Sequence, residues 1–450
     1  MIKSLERTIC AISTPYGKGG IAVIRISGNE SIKICNKIFN KDLSSIKGYQ
    51  SCYGSVIENN KTIDDVIVNI FKNPNSFTGE DIVEISCHGS TYIQQKIIEL
   101  LLNSGCNMAQ AGEFSQRAFL NGKMDLSQSE AIADLINSES SKAHELAIKQ
   151  IKGGFSNELK QLRIKLLDFA SLIELELDFS EEDIEFADRT KLSELVEDIT
   201  LHLFKLKESF KLGNAIKNGV KTVITGRPNS GKSTLLNKLL NEQRAIVSDV
   251  PGTTRDSIEE IINIQGINFR LIDTAGLRKS EDKIEKIGIR KTLKHIENAS
   301  LIIYIYDVIN TRLETVNKDI EKLNKQNLPV IIIANKSDLQ TKPYPSNNNH
   351  LLISALKNDI QIVKDEIFKA FNINKLDSGD SIITNARHYD SLNKAYSALV
   401  EVKKGLETNI SGDLLALDIR QALHNIGEIT GEISNDELLG NIFGKFCIGK

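Results

Sequence analysis

The residues with the clearest chemistry lie in a glycine-rich stretch, Gly226 to Ser233, which fits the pattern G-x-x-x-x-G-K-[ST]. Residues 220–225 alternate apolar and polar side chains as a short strand does, and Thr234 opens a run with helical apolar spacing. In this context the backbone N–H groups of the loop can surround a phosphate at a helix N-terminus. Lys232 is expected to reach the β- and γ-phosphates, and the Ser233 hydroxyl is expected to hold Mg²⁺. The stretch therefore predicts a nucleoside triphosphate site.

Two further motifs favour guanine over adenine. Residues 330–334 have the apolar composition of a buried strand and run directly into Asn335-Lys336-Ser337-Asp338. A carboxylate at Asp338 can accept hydrogen bonds from both the ring N–H and the exocyclic amine of guanine, which adenine cannot offer together. Alone, this motif is more often a helix-entry turn. Ser354-Ala355-Leu356, however, follows another short strand and resembles the loop that closes over the base in GTPases.

Two loops between these motifs are expected to respond to the nucleotide. Asp273, at the end of an apolar strand, can bind Mg²⁺ through water, and the Gly276 N–H can meet the γ-phosphate. The hydroxyl of Thr254 would complete the Mg²⁺ coordination only in the triphosphate state. Leu277 stands where Ras-like proteins carry a water-orienting glutamine, so the attacking water must be held differently. Glu285 is close enough in sequence to do this, and a solvated helix face is the equal alternative.

Composition limits the architecture and the partners. A chain of 450 residues is too long for one core, so two or three domains are expected. The net charge of -3 gives no overall attraction to nucleic acid, so any RNA contact must come from local patches. Six cysteines without a C-x-x-C pairing, and no signal peptide, indicate reduced cytoplasmic thiols and argue against a cysteine metal site. The longest apolar runs have strand length, so no membrane span is predicted.

The pattern of elements predicts a multidomain protein with three kinds of fold. Strand-like and helical stretches alternate in residues 1–120, which predicts an α+β N-terminal domain. Long amphipathic helical periodicity follows in 121–216 and returns in 379–450. Residues 217–378 therefore look like a Ras-like α/β P-loop GTPase domain inserted into an α-helical domain. A doubly wound parallel sheet, with the phosphate site at the carboxyl ends of its strands, is the expected fold of the insert.

Two charged residues, Arg25 and Glu84, lie within apolar strands of the N-terminal domain. A buried charge needs either a partner or a ligand, and the residues alone favour a structural ion pair. Cys87 and His88 are not predicted to form a nucleophile and base, because adjacent residues of a strand point to opposite faces.

Taken together, the motifs resemble those of the MnmE (TrmE) family of tRNA-modifying GTPases over the whole chain. The nucleotide motifs, which include Pro251-Gly252-Thr253-Thr254-Arg255-Asp256, are shared with other GTPases. Four other blocks are specific to the family: Tyr16–Gly20, Ser76–Asp81, Gly112–Lys123 and the terminal Phe446-Cys447-Ile448-Gly449-Lys450.

The resemblance implies a function. Members of the family bind a one-carbon tetrahydrofolate, in the 5-formyl or methylene form, in the N-terminal domain. With the flavoprotein MnmG (GidA) they install an aminomethyl or carboxymethylaminomethyl-type group at carbon 5 of the wobble uridine of certain tRNAs. They act in the cytoplasm as homodimers, through their N-terminal domains, and their GTPase domains meet when K⁺ binds.

The resemblance also assigns residues by motif position. Arg25, Glu84, Lys123 and Lys450 would contact folate, which reverses the preference for a structural ion pair. Mg²⁺ would be held by Ser233 and Thr254, and K⁺ by Asn229, Ser248, Val250 and Thr253. Lys232 and Glu285 would serve hydrolysis, with Glu285 acting on the attacking water through another water. Cys447 would lie beside folate, either as a nucleophile or only as a contact.

The implied nucleotide-binding residues complete the set: Asn229, Ser230, Gly231, Lys232, Ser233, Thr234, Ser248, Asp249, Val250, Pro251, Gly252, Thr253, Thr254, Asp273, Thr274, Ala275, Gly276, Asn335, Lys336, Asp338, Ser354, Ala355 and Leu356. Ser230 and Ser248 replace a frequent Ala and a frequent Thr of the family. The alternative function is a ribosome-assembly or regulatory GTPase that binds RNA without transfer chemistry. Such a protein would share the inserted domain but would not need a folate-binding N-terminus or the Cys-Ile-Gly-Lys ending.

Overall fold

The computed structural model describes residues 7–178, 188–241, 259–273, 299–323, 328–340, 350–357, 360–370, 381–408 and 410–449. The chain divides into two compact units. Unit 1 comprises Met1–Ala133, Gln150–Asp188 and Asn409–Lys450, and unit 2 comprises Asp134–Lys149 and Arg189–Thr408.

Strands and helices are numbered along the chain. The strands are β1 (Ile9–Ile12), β2 (Gly19–Ser27), β3 (Gln50–Glu58), β4 (Lys61–Phe71), β5 (Ile82–Gly89), β6 (Asn107–Met108), β7 (Val220–Thr225), β8 (Glu259–Ile264), β9 (Ile267–Asp273), β10 (Leu301–Asp307), β11 (Val330–Asn335) and β12 (Leu351–Leu352). The helices are α1 (Ser31–Asn36), α2 (Thr91–Asn103), α3 (Glu113–Leu120), α4 (Leu126–Ile136), α5 (Ser141–Ile151), α6 (Gly154–Asp178), α7 (Arg189–Asn218), α8 (Lys232–Asn241), α9 (Leu313–Leu323), α10 (Ile360–Ala370), α11 (Ala386–Glu407), α12 (Gly412–Thr430) and α13 (Asp436–Phe443).

The sheet of unit 1 has the strand order β3-β4-β5-β2-β1-β6. Its neighbours pair antiparallel except β1 and β6, which are parallel. Alternate residues of β2 and β5, such as Ile24, Ile26 and Ile85, are buried in one hydrophobic cluster with residues of α1 and α2. Because side chains alternate along a strand, Arg25 and Glu84 point to the opposite face. The α+β fold predicted for this part of the chain is confirmed.

The sheet of unit 2 has the order β12-β11-β10-β7-β9-β8, and all of its neighbours are parallel except β8 and β9. Its central strand β10 is buried at every residue, as expected for a parallel strand covered on both faces. The carboxyl ends of β7, β9, β10 and β11 meet at one edge of the sheet. This is the predicted α/β fold, with one antiparallel strand at the border.

Long helices belong to both units. In unit 1, α6 and α12 run antiparallel: Glu174 forms an ion pair with Arg420, and Arg163 forms one with Glu432, just after the end of α12. In unit 2, α7 and α11 are joined by stacked rings and by an ion pair between Glu197 and Lys403. The domain boundaries inferred from the sequence remain predictions. Within the described ranges no helix is long and apolar enough to cross a membrane.

Candidate functional site

The phosphate loop lies between β7 and α8, at the carboxyl edge of the unit 2 sheet. Gly226 and Gly231 have φ values of 151° and 98°, which L side chains rarely adopt. A Cβ atom at Gly226 would overlap the Ile305 carbonyl oxygen, and one at Gly231 would overlap the Asn335 side-chain nitrogen. The two glycines therefore let the loop pass close to β10 and β11. The strand, loop and helix predicted from the sequence are confirmed.

Lys232 begins α8, and its ammonium lies back over the loop. Its Nζ donates hydrogen bonds to the carbonyl oxygens of Gly226 and Arg227, both at 2.8 Å. Phosphate oxygens carry more negative charge than these carbonyls and would compete for the same donor. Ser233 and Thr234 follow in the first turn of the helix, and Asn229 adopts a left-handed φ of 59° in the loop.

One amide side chain joins the phosphate loop to the predicted base loop. Asn335 Nδ2 donates to the Ser230 carbonyl at 2.8 Å, and its Oδ1 accepts from the Ala355 N–H at 2.9 Å. Asn335 and Ala355 are both buried. Residues far apart in sequence are thus brought together where the sequence predicts one nucleotide.

The acidic residue of the base motif is also held by the base loop. The Ser354 hydroxyl donates to Asp338 Oδ1 at 2.6 Å, and this hydrogen bond lowers the pKa of the Asp338 carboxyl. Asp338 is therefore ionised at neutral pH, the state that accepts both guanine donors. Leu356 follows as an exposed side chain.

Sequence reasoning missed two carboxylates at this edge. Asp307 ends β10 beside Asn335, and its Oδ2 accepts from Lys336 Nζ at 2.7 Å. Burial raises the pKa of Asp307, but the bonds from Lys336 and Asn310 outweigh it and hold the pKa below its usual range. Asp307 could have been identified from the sequence, because ligands bind at the carboxyl ends of parallel strands and Asp307 is the last residue of β10.

The second missed carboxylate, Asp319 on α9, anchors the phosphate loop. Arg227 Nε donates to Asp319 Oδ2 at 2.9 Å, and the buried Tyr304 hydroxyl donates to the same oxygen at 2.8 Å. Burial and the Asp319 charge raise the pKa of Tyr304, so it remains a donor. No sequence pattern links residues this far apart.

Several predicted site residues lie outside the described residues: Ser248, Asp249, Val250, Pro251, Gly252, Thr253, Thr254, Thr274, Ala275, Gly276, Glu285 and Lys450. Asp273 lies at the end of β9, which places its backbone at the same sheet edge as the phosphate loop. The assignments to water positioning, to K⁺ and to the second Mg²⁺ hydroxyl remain predictions.

In unit 1, Arg25 and Glu84 stand opposite each other on β2 and β5. Arg25 Nε and Nη2 approach Glu84 Oε1 at 2.9 and 2.8 Å, and each side chain is about one-fifth exposed. The Arg25 guanidinium carbon also lies 5.5 Å from the centroid of the Phe77 ring and 5.7 Å from that of Phe114. The ion pair favoured by the residues alone is present, and the pair remains accessible to a ligand.

The hydrogen bond described for Lys123 is not to Arg25 or Glu84. Its Nζ donates to the Pro74 carbonyl at 3.0 Å. Pro74 and Phe77 belong to one loop, residues 72–81, so Arg25 and Lys123 contact the same segment. This segment contains the block Ser76–Asp81 that the sequence singled out.

The Cys-Ile-Gly-Lys tail packs against the start of α3 and the end of β1. Ile448 forms a β-bridge with Ala111, and the Gly112 N–H donates to the Cys447 carbonyl at 3.4 Å. The Ser13 hydroxyl donates to the Gly449 carbonyl at 3.3 Å. Cys447 is exposed. The tail therefore lies one strand away from Arg25, whose partner on β1 is Ala11.

A buried ionic network, also missed from the sequence, connects these segments. Arg117 on α3 is fully buried and pairs with Glu80 and Glu113 at 3.0 and 2.9 Å. Glu113 also binds Arg7, and Glu80 accepts from the Ser27 hydroxyl at 2.7 Å. The network ties loop 72–81 and β2 to the helix that supports the tail.

The prediction for Cys87 and His88 is confirmed. Cys87 is buried, and burial raises the pKa of its thiol to about 11. His88 points to the other face and is exposed, and its Nδ1 donates to Asp64 Oδ1 at 2.7 Å. A neutral buried thiol facing away from the imidazole is not a nucleophile. No group of three or more His, Cys, Asp or Glu side chains in the described part of the chain is arranged to hold a metal.

Comparison with known proteins covers the whole chain. The model of the MnmE helical domain matches residues 126–447, and the model described as the GTP-binding protein TrmE N-terminus matches residues 8–123. The chain is 53% identical to the tRNA modification GTPase MnmE of Flavobacterium johnsoniae, over 99% of each chain. It is 52% identical to the protein of the same name from Flavobacterium psychrophilum, over 98% of this chain and 99% of that one.

Among solved structures, Era in complex with MgGDPNP and a fragment of 16S ribosomal RNA is 27% identical and covers 34% of this chain and 56% of that chain. Its TM-score is 0.27, which is too low to support an inference.

Proposed function

Because the chain belongs to the MnmE family of tRNA modification GTPases, we propose that its GTP hydrolysis is stimulated by K⁺ and drives a folate-dependent modification of the wobble uridine of certain tRNAs. The chain is a GTP hydrolase that acts in tRNA modification and binds GTP and Mg²⁺. The proposal adds the one-carbon tetrahydrofolate, the flavoprotein partner MnmG and an aminomethyl or carboxymethylaminomethyl-type product at carbon 5. It places the reaction in the cytoplasm.

The nucleotide roles follow from the unit 2 contacts. Lys232 would transfer its hydrogen bonds from the loop carbonyls to phosphate oxygens, and Ser233 would hold Mg²⁺. Asn335 would keep the phosphate and base loops in register, and ionised Asp338 would select guanine. When bound, Mg²⁺ supplies positive charge between the β- and γ-phosphates.

Potassium is proposed because the residues offer no other source of charge or water orientation in the usual place. Leu277 replaces the glutamine of Ras-like proteins, and no arginine finger is indicated by the sequence. Asn229 lies at a left-handed backbone position where asparagine is among the better-tolerated residues. Asn229→Gly would remove the amide while preserving the backbone conformation.

The salt comparison tests this part. Hydrolysis should be much faster in K⁺ than in Na⁺ at equal ionic strength, and Asn229→Gly should abolish that difference while GTP still binds. Equal rates in both salts would refute the K⁺ assignment and leave the GTPase assignment intact.

The observation that carries the folate proposal is the joint position of Arg25, Glu84 and the tail on one part of the unit 1 sheet. Arg25 and Glu84 offer a cation and a carboxylate, with the rings of Phe77 and Phe114 beside the guanidinium. These groups fit a flat heterocycle that has hydrogen-bond donors and an anionic tail. Cys447, held one strand away, would then lie near the carried carbon.

The open face of the same sheet supports a homodimer. Ile21, Tyr53 and Ile67 are 70%, 63% and 48% exposed. Strand register puts them on the face that carries Arg25 and Glu84, because Ile67 pairs with both Tyr53 and Ser86. Ser86 and Ile21 lie at alternate positions from Glu84 and Arg25 on their strands, and so share their face. Large apolar side chains on one open sheet face are typical of a protein interface. Ile67→Glu should convert a dimer to a monomer in sedimentation, whereas Ile309→Glu, equally exposed in unit 2, should not.

Two measurements separate the transfer enzyme from a regulatory RNA-binding GTPase. The full chain should bind 5-formyltetrahydrofolate, and Glu84→Gln should weaken that binding without changing GTP hydrolysis. Cells carrying Cys447→Ser should lack the modified wobble uridine although the purified variant hydrolyses GTP. Full modification in those cells would show that Cys447 is not needed, and absence of folate binding would favour the regulatory alternative.

A further inference from the structure

The hairpin of β8 and β9 connects the two nucleotide-responsive motifs. At its open end, β8 follows the Thr254 motif within a few residues, and β9 ends at Asp273. Its strands, of six and seven residues, place the closed end about 20 Å away, at 3.3 Å per residue. A displacement at the nucleotide can therefore be delivered to a distant point if the hairpin is stiff.

The closed end of the hairpin is a tight two-residue turn. Gln265 and Gly266 both have positive φ values, 48° and 85°, as a type I′ turn requires. The Asn263 side chain accepts from the Gly266 N–H at 3.0 Å and donates to Asn268 Oδ1 at 2.8 Å. These bonds close the turn on itself, so strand movement carries the turn with it.

The turn contacts α5 and the residues that precede it. The Lys142 N–H donates to the Gly266 carbonyl at 3.1 Å, and Asn268 Nδ2 donates to the Glu139 carbonyl at 3.1 Å. A Cβ atom on Gly266 would overlap the Ser141 hydroxyl, so helix and turn are in close contact.

Apolar packing strengthens this contact. Ala143 and Leu146 of α5 are buried in one hydrophobic cluster with Ile262, Ile264 and Ile267 of the hairpin. Five apolar side chains and two hydrogen bonds are enough to make the turn and helix a continuous packed body, since interiors at native density transmit displacement.

The chain connections give this contact a consequence. Asp134–Lys149 belongs to unit 2, whereas the chain before it and the chain after it, from Gln150, belong to unit 1. The α5 segment is thus packed on the GTPase sheet and covalently joined at both ends to the unit that carries Arg25, Glu84 and the tail.

We propose that the β8–β9 hairpin and α5 move as one body when GTP is converted to GDP, and that α5 transmits this movement to unit 1. The inference rests on the GTPase cycle and on the proposed response of the Thr254 and Gly276 loops, and it does not depend on folate. Reciprocity requires that a change at α5 also alter the relative affinity for GTP and GDP.

Hydrogen exchange of the full chain tests the movement. Between GDP and a non-hydrolysable GTP analogue, exchange should change together in peptides covering 137–149 and 262–269, while α11 in the same unit serves as the reference. Identical exchange of 137–149 in both nucleotide states would overturn the proposal, whether or not the chain modifies tRNA.

Asn268→Ala tests the coupling, with Asn218→Ala as the matched control. Like Asn268, Asn218 shares a side-chain hydrogen bond with another asparagine, but its Nδ2 donates to Asn214 Oδ1 at 2.7 Å on an exposed part of α7. Asn268→Ala should reduce tRNA modification about fivefold or more, the lower range of coupling energies, and remove the exchange response of α5. GTP hydrolysis should stay near that of the unaltered chain, and Asn218→Ala should change none of these.

Leu146→Ala disrupts the same contact from the side of α5. It should also reduce tRNA modification while GTP hydrolysis stays near that of the unaltered chain. Unchanged modification in both Asn268→Ala and Leu146→Ala would refute the transmission role. Loss of GTP hydrolysis in both would also refute it, because α5 would then belong to the hydrolytic machinery itself.

Discussion

Replacing Arg117 with Met should strongly destabilise unit 1, because it leaves two acidic side chains without their shared cation. Arg117 is fully buried, and the Glu80 and Glu113 side chains are only 13% and 7% exposed. Methionine fills much of the same volume, so the loss is mainly electrostatic. Arg117 also donates to the Arg7 carbonyl at 2.9 Å, and that acceptor would lose its partner.

The magnitude follows from what remains after the change. Breaking a buried ion pair costs about 3–5 kcal/mol. After the change, the Glu113 carboxylate still pairs with Arg7 and still accepts from the Gln110 N–H at 2.8 Å. Of the bonds to the Glu80 carboxylate described above, the one from the Ser27 hydroxyl remains. The lower end is therefore expected, about 3 kcal/mol, or roughly 150-fold in the unfolding equilibrium. With a urea slope of about 2 kcal/mol/M the midpoint should fall by about 1.5 M.

The assay must report on the unfolding of unit 1 alone, and tryptophan fluorescence cannot be used because the chain contains no tryptophan. Urea titration followed by hydrogen exchange of peptides from β1, β6 and α3 meets that need. Arg420→Met is the control, because its ion pair with Glu174 is exposed and surface pairs contribute little. Adding Glu80→Leu to Arg117→Met should restore part of the loss. A midpoint that stays within error of the unaltered chain would refute the reasoning.

Three further predictions concern single side chains. Asp338→Asn should lose affinity for GTP and gain affinity for xanthosine triphosphate, which changes the preference between the two by about 10⁴-fold, because a site built on hydrogen bonds rejects a mismatched base. Competition binding of the two nucleotides measures this preference. Ser230→Ala should preserve nucleotide binding and raise the free energy of unfolding by about 1 kcal/mol, since the buried Ser230 hydroxyl has no hydrogen-bond partner among the described residues; thermal denaturation measures it. Asp125→Asn should destabilise the chain by about 1–3 kcal/mol at pH 7, and the difference should fade below about pH 4. Burial raises the pKa of Asp125, but Lys160 at 2.8 Å and the other donors hold it below its usual value, so the stabilisation is present above the unfolded pKa and lost as pH falls through the folded one.

Each of these has a contrary outcome. Unchanged GTP affinity in Asp338→Asn would remove the guanine assignment. Destabilisation by Ser230→Ala would mean that the hydroxyl has a partner, and a pH-independent loss in Asp125→Asn would mean that packing rather than charge is affected.

The phosphate loop was predictable because its signal is local. A strand, two glycines and a helix start lie within a dozen residues, and the backbone angles of Gly226 and Gly231 are those that the glycines were expected to permit. Arg25 and Glu84 were also found as a pair, since charges in apolar strands must be matched.

Other features were not predictable, because they depend on residues far apart in the chain. In the sequence, Arg117 has the pattern of a surface residue on a short helix. In the structure it is buried, and its charge is neutralised by Glu80 from a distant segment. The grouping of α5 with the β8–β9 hairpin likewise has no sequence signal, because helical periodicity identifies a buried face but not the surface that covers it. Strand β3 has only a weak strand pattern, since it contains polar and glycine residues.

The bond between Ser13 and Gly449 closes a separation of 436 residues. At about 5–20 residues per second on the ribosome, roughly 20–90 s pass between the synthesis of the two partners. The sheet of unit 1 can fold long before then, so during this interval Ser13, just after β1, lacks a partner that has not yet been synthesised. A ribosome stalled within the GTPase insert would thus expose a folded N-terminal domain that lacks its tail, and the contact marks the chains whose translation has passed residue 449.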